Sequence, residues 1–341
     1  MFLKDVKSRF GSRVLFFFVA LSLSWALSIG IGFGEDVTPE DEKAYKEAMA
    51  DTEVAEQTEI STRLLAVVPR YDMLNDDMLY GSSITWENPS DPANSRVLVE
   101  TMVSNSDYEN LYEPYLGQEH LLQFSCWVTV VPELKNYFIG QSDPPTVKRI
   151  KQLKGLNPAW EYSWLVQLWV DPKYLFRPTP DPEITDHEGE LSVRKDEKNW
   201  TFPSDDNTFV TLIDAKLYLE KGFLDPDPEH PDEPQNPRKY RGWFSKKAEP
   251  SNYDTSGAIG GWDSPWTRLG YTYDWGNSDD HLGVSEFRLI LDVDPTVRGR
   301  WVGIKDAVDL RNNMARAAYF RCVPESTAGG SSGGCFVKTP Q

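Results

Sequence analysis

Cysteine and histidine are scarce in this 341-residue chain, with three of the first and four of the second. No CxxC pair and no Cys/His cluster occurs, which removes the usual zinc and dithiol redox arrangements. No GxSxG motif is present to seat a hydrolase serine. No EF-hand spacing or glycine-aspartate nonapeptide repeat appears to wrap a calcium ion. No Lys/Arg-rich stretch interrupts a net charge of −18, and phosphate backbones need a concentrated basic surface, so no nucleic-acid partner is expected. Neither a cofactor nor a metal site is expected. Charged residues at 26% and apolar residues at 40% describe a chain that folds rather than a disordered one.

The first forty residues are the clearest functional statement. Lys4, Lys7, Arg9 and Arg13 precede an uncharged apolar run of 21 residues, Val14 to Gly34. A basic start followed by a bilayer-partitioning segment is the layout of an export signal. The run also reaches the roughly 20 residues a membrane span needs. Residues 1–34 are therefore a signal peptide or a signal anchor. Gly32 and Gly34 are small residues placed for cleavage after Gly34, and Ala26 and Ser28 offer an earlier site. Either outcome puts the rest outside the cytoplasm (periplasmic, cell-surface or secreted), held by residues 14–34 if the signal is not cleaved.

Export suits the cysteines. Cys322 and Cys335 flank PESTAGGSSGG, a stretch whose ends meet cheaply, so they are the natural disulfide pair. Closing it is worth about 3 kcal/mol in the chain-entropy account. Cys126 lies within the apolar run HLLQFSCWVTVV and is expected to be a buried free thiol.

Residues 35–60 are acidic and helix-prone. Thr38 can cap, Pro39 fits the first helical position, and Glu40, Asp41 and Glu42 suit the positive helix end. The stripe Ala44, Tyr45, Ala48, Met49 and Ala55 is thin, and predicts a solvated spacer helix. From residue 61 to about 325 the pattern becomes strand-like. Period-two alternation marks 97–103, 121–131, 163–170, 208–220 and 285–293, with β-branched and aromatic enrichment. Helical patterning is confined to 145–156, ending at Gly155, and to 304–321. Two Pro- and acid-rich loops occupy 176–190 and 223–237, and 326–341 is a flexible Gly/Ser tail. The expected fold is mainly β (α+β): an antiparallel, sandwich-like core with long loops, a few peripheral helices and an N-terminal hydrophobic segment.

The segment WTRLGYTYDWG (266–276) alternates Leu269, Tyr271, Tyr273 and Trp275 with Arg268, Gly270, Thr272 and Asp274. That predicts a strand with rings packed inside and a small polar face in solvent, opening a hairpin that returns through 285–293. Trp243, Trp262 and Trp266 sit in Gly-, Ser- and Asp-rich sequence and are candidate sugar-stacking residues, the alternative being that they wedge loops onto the core. The local constellation open to catalysis is Asp274 with Glu286, or either with His281, since glycosidases work with paired carboxylates. With 53 acidic residues in the chain, such coincidences are expected, and simple pairing of Asp274 and Glu286 with Arg268 and Arg288 accounts for that pattern without catalysis. The acid runs 204–206 and 225–233 predict solvated loops rather than a calcium site, and Asn199 in NWT is a glycosylation sequon.

These observations point to an exported protein of the cell envelope or exterior that acts by binding or assembly, on a glycan or protein partner. A glycan-acting enzyme using carboxylates near 262–286 is the first alternative. A pilin-like assembly subunit is the second, although no Glu follows Gly11 by five residues and Pro39 interrupts a continuous helix.

Overall fold

The computed structural model describes residues 37–68, 84–139, 141, 143–179, 184–189, 192–195, 198–201, 247, 250–253, 255–256, 264–289 and 300–320. The hydrophobic run 14–34, the strand expected at 208–220, the loop 223–237, Trp243, Trp262, Cys322 and Cys335 lie outside the described residues. Among the described residues, no helix is long and apolar enough to cross a membrane.

The centre is a seven-stranded, wholly antiparallel sheet. Its strands are β1 (Val97–Val103), β2 (Gln118–Leu122), β3 (Trp127–Val130), β4 (Trp164–Val170), β5 (Leu175–Phe176), β10 (Phe287–Leu289) and β11 (Arg300–Asp309). Their spatial order is β2-β11-β4-β1-β3-β10-β5. Two hairpins stand apart from it, β6 (Ser192–Lys195) with β7 (Lys198–Thr201), and β8 (Tyr271–Tyr273) with β9 (Leu282–Ser285). The chain is thus mainly β within an α+β class.

Alternation along the strands separates two cores. Val97, Val99 and Val103 of β1 join Val166, Leu168 and Val170 of β4 and Phe287 and Leu289 of β10 on one face. Irregular chain covers that face through Leu65, Val67, Trp86 and Ile184, and short helical turns over 105–115 cover it through Tyr112 and through Tyr108, stacked 3.7 Å from Trp164. The opposite face carries Met102 and Leu165 and is covered by helices α2 (Glu133–Tyr137), α3 (Val147–Leu153) and α4 (Asn313–Phe320). Where a second sheet was expected, the described residues place helices on one side and irregular chain with short helical turns on the other. Each fully buried aliphatic side chain contributes about 1.5–3 kcal/mol.

Three local expectations are corrected. The run 121–131 is two strands with different neighbours: β2 pairs with β11, and β3 pairs with β1 and β10. Leu122, Cys126, Val128 and Val130 still share one face, because period-two patterning reports the face and not the partner. Ile304–Asp309 is strand rather than helix, and only Asn313–Phe320 is helical. A register shift between Ile304 and Asp306 breaks the alternation, and pairing with β4 overrides the helix-like spacing.

The third correction concerns the N-terminal helix, α1 (Pro39–Asp51). Its start follows the local chemistry, with Thr38 and Asp41 forming a reciprocal capping box and Pro39 in the first turn. It is no solvated spacer. Tyr45, Ala48 and Met49 are buried against Tyr253, Tyr273 and Trp275, with Tyr45 edge-on to Trp275 at 5.8 Å. Lys148 of α3 reaches Asp41 at 2.6 Å, and Arg268, in the left-handed region at φ 62°, donates to the carbonyls of Thr52 and Glu53 at the far end.

The hairpin β8–β9 lies between these layers. Its rings are inside as expected, with Leu269, Tyr271, Tyr273 and Trp275 all buried. The polar face is buried too, contrary to expectation: Thr272 and Asp274 turn to α2 and α3 and bond there. Gly270, at φ 78°, has no room for a side chain, since a Cβ would stand 2.5 Å from Arg177 Cδ.

Candidate functional site

The sheet forks. β1 and β3 pair only at Val99↔Val130 and Glu100↔Thr129. Beyond that point Thr101, Met102 and Val103 stay with β4, whereas Trp127 and Val128 go with β10. In an antiparallel ladder, alternate residues turn their peptide groups to alternate neighbours. Val131 N–H donates to Leu98 O, and Leu289 N–H donates to Cys126 O. The alternation therefore turns the peptide groups of Met102 and Trp127 into the fork.

A cavity of about 590 Å³ occupies the fork. Small-molecule sites span roughly 300–1,000 Å³, so the size suits a ligand. Its walls carry Tyr112, Phe124, Trp127, Trp160, Tyr162 and Trp266, and its polar lining includes Lys154, Thr129 and Glu286. Trp266 meets Trp127 edge-on at 6.0 Å, and the Arg288 guanidinium lies 5.5 Å from the Trp127 ring.

The wall at 155–162 is held by a buried lysine. Lys151 sends its ammonium to the carbonyls of Pro158 at 2.7 Å and Trp160 at 2.8 Å. Three residues further on, Lys154 caps α3 and points into the cavity lining, while Gly155 reverses the chain at φ 62°. A Cβ at Gly155 would press on the Tyr273 carbonyl at 3.2 Å. One short helix thus fixes both a charge and a ring at the site.

Charges gather on the helix-facing side. Lys154 donates to Thr129 Oγ1 at 3.1 Å, and burial lowers its pKa against the opposing pull of Glu100, Glu286 and Glu133. Burial pushes Glu286 up to about 8 despite nearby Lys154, Lys247 and Arg288. Glu133 is pushed up to about 7 by burial, although its Oε1 accepts from the backbone and hydroxyl of Ser285. Glu100, fully buried in β1, is likewise raised by burial and accepts from Tyr319 Oη. On the other side of the fork Cys126 is a buried free thiol, as expected, and burial drives it up to about 12, so it is held as an unreactive thiol.

Asp274, His281 and Glu286 do not share an environment. Asp274 is fully buried, accepting from Arg149 at 2.7 and 2.6 Å, from Tyr137 Oη at 3.1 Å and from Gly276 N–H at 3.1 Å. Both its oxygens are engaged in an ion pair with Arg149, not with the expected Arg268. His281 Nδ1 lies 2.5 Å from Tyr273 Oη and 3.4 Å from Asp51. Glu286 alone lines the cavity. Of the three candidate tryptophans, Trp266 is a buried cavity wall, and Trp243 and Trp262 lie outside the described residues. Among the described residues no group of three or more His, Cys, Asp or Glu is arranged to hold a metal ion.

Lys154, Tyr112, Trp127 and Trp160 are among the cavity residues that sequence reasoning missed. One signal was present: Glu100 sits in VLVETMV, a strand too apolar to have a solvated face. A carboxylate buried there requires a buried cationic or hydroxyl partner. Comparison with protein-family models, with curated proteins and with solved structures gives no match.

Proposed function

We propose that this chain is an exported protein that acts by binding outside the cytoplasm, and that the fork cavity is its ligand site. The observation carrying this reading is a ligand-sized cavity, walled by rings, in which the Tyr112 hydroxyl and Glu286 Oε2 have no partner among the described residues. The basic flank and apolar run at 14–34 support export. Catalysis by the 274/286 pair lacks support, since Asp274 has no free oxygen for proton transfer. A glycan or a protein end is the partner class that such a cavity suits.

Indole, a ring probe without charge, tests the site in the full chain. It is expected to bind saturably in isothermal titration calorimetry, and Trp266→Ala is expected to abolish that response with circular dichroism unchanged. A linear, unsaturable response in the wild type would overturn the cavity as a site. Release of reducing ends from glycan substrates, lost on Glu286→Gln, would overturn the non-catalytic reading. A C-terminal reporter active only in the cytoplasm is expected to stay silent, and strong activity would overturn export.

A further inference from the structure

The ionisable lining of the cavity gathers where the fork closes. β1 and β3 pair last at Glu100↔Thr129, and Lys154 donates to Thr129 Oγ1 there. The β3–β10 register, Trp127↔Arg288 and Val128↔Phe287, puts Glu286 opposite Thr129 at its next step. Lys154 pulls against the burial that raises Glu286, as two close groups do. Lys154, Thr129 and Glu286 therefore share the closed end of the fork. Trp127 stands two residues from Thr129 on the same face, and Trp266 meets it edge-on at 6.0 Å. The Tyr112 hydroxyl belongs to the wide end instead. After burial itself, the groups bearing on it are Cys126 and Asp107.

Two groups at the closed end have capacity to spare. Lys154 is buried, with three ammonium hydrogens and one hydrogen bond. Glu286 Oε2 is shut away from solvent without a partner among the described residues. The charge state of the surroundings decides what answers them. Burial holds Glu100, Glu133 and Glu286 toward their protonated forms, Glu133 up to about 7 and Glu286 up to about 8. Burial lowers Lys135 and Lys154 as well, and Lys247 also bears on Glu286. Arg177, which bears on Glu133, and Arg288, which bears on Glu286, stay cationic throughout. At neutral pH this end is thus richer in cations than in ionised carboxylates. A buried ammonium needs a hydrogen-bonded counter-charge, and a protonated Glu286 supplies none. A carboxylate does: one oxygen accepts from Lys154, and the other accepts from protonated Glu286, two carboxyl groups sharing one proton.

We propose that the cavity takes a carboxylate with an aromatic body, its head between Lys154 and Glu286 at the closed end of the fork and its ring against Trp127 and Trp266. This rests on the binding reading above and deepens it to a ligand class. Rings packed edge-on or offset against rings gain more than their buried area alone, which favours an aromatic body over an alkyl chain. A free aryl acid and the C-terminal aromatic residue of a peptide present the same head and ring.

The test titrates the full chain calorimetrically with indole-3-acetate, indole-3-acetamide and tryptamine, three heads on one ring. Indole-3-acetate is expected to bind saturably at pH 7, about tenfold or more tighter than the amide, with tryptamine weaker still. Raising the pH to 9 is expected to weaken the acetate, because Glu286 then gives up the proton that the head shares. Glu286→Gln keeps a donor and cannot ionise, so at pH 9 it is expected to bind the acetate more tightly than the wild type does. A merely structural role for Glu286 would not produce that reversal. Lys154→Met is expected to bring the acetate down to the affinity of the amide. The head-group series and the pH comparison need no Lys154 variant, so they decide the matter if Lys154→Met does not fold. Gly-Gly-Trp with a free C-terminus, binding above the acetate, would support the class and assign the head to a chain end. Binding of the acetate without that peptide would support it as a free acid. Equal binding of acetate and amide, or tighter binding of tryptamine, would sink the acid proposal and leave the binding reading standing. Tighter binding of octanoate would overturn the aromatic body. Acetate binding indifferent to both Glu286→Gln and Lys154→Met at pH 7 and pH 9 would overturn the placement of the head. Absence of binding by indole and by all three heads would overturn both readings.

Discussion

Thr272 illustrates how much a single buried hydroxyl joins. It donates to Leu153 O at 2.6 Å and accepts from Val284 N–H at 3.0 Å, tying the end of α3 to β9. Thr272→Ala strands both backbone groups and is expected to cost about 1–3 kcal/mol in urea unfolding. A loss below about 0.5 kcal/mol would mean that this face is solvated after all. Glu286 adds a pH dependence of definite sign. Its pKa rises from 4.5 in the open chain to about 8 in the fold, so the native state keeps a proton that the unfolded state releases. Its contribution is absent below pH 4.5 and destabilises increasingly as pH rises toward 8. Glu286→Gln is expected to be more stable than the wild type at pH 9 and equal to it near pH 4, read from paired denaturant curves. Equal stabilities at both pH values would show that the carboxylate is solvated. The alternation of rings and small residues in 266–276 was enough to place the rings inside. Burial of Asp274 was not legible, because its partner Arg149 lies 125 residues away and no local pattern announces it.

Helix α1 shows the same division between local and distant information. Its first turn was legible from Thr38, Pro39 and three acids, because capping is a matter of neighbouring residues. Its role was not, because an alanine-rich stripe looks thin until the partner supplies the bulk. Here Tyr273 and Trp275 bring the rings, and Ala48 lets them approach. Met49→Ala is expected to cost about 2–5 kcal/mol, as for other buried large-to-small changes. A thermal midpoint unmoved by that change would return α1 to a solvated spacer. Strand β11 failed to show itself for a related reason: one bulge shifts the phase of the alternation, and the remaining spacing resembles a helix.

At the scale of the whole molecule, the sheet's class was legible from repeated alternation, whereas the place where it parts was not. A fork depends on which strands share hydrogen bonds, and side-chain periodicity carries no record of partners. The fork also divides the sheet into cooperative units. β1 meets β4 over seven residue pairs and β3 over two, so β2-β11-β4-β1 and β3-β10-β5 are joined by a narrow seam. Contiguous units with few shared bonds open separately before global unfolding. Native-state hydrogen exchange is therefore expected to report two opening free energies. Amides of β1 and β4 would share the higher one, and those of β3 and β10 the lower. The Met102 amide, turned into the fork, should exchange fastest in its strand and slow when a ligand occupies the gap. A single opening free energy across all seven strands would mean that the seam transmits stability as well as an unbroken ladder does.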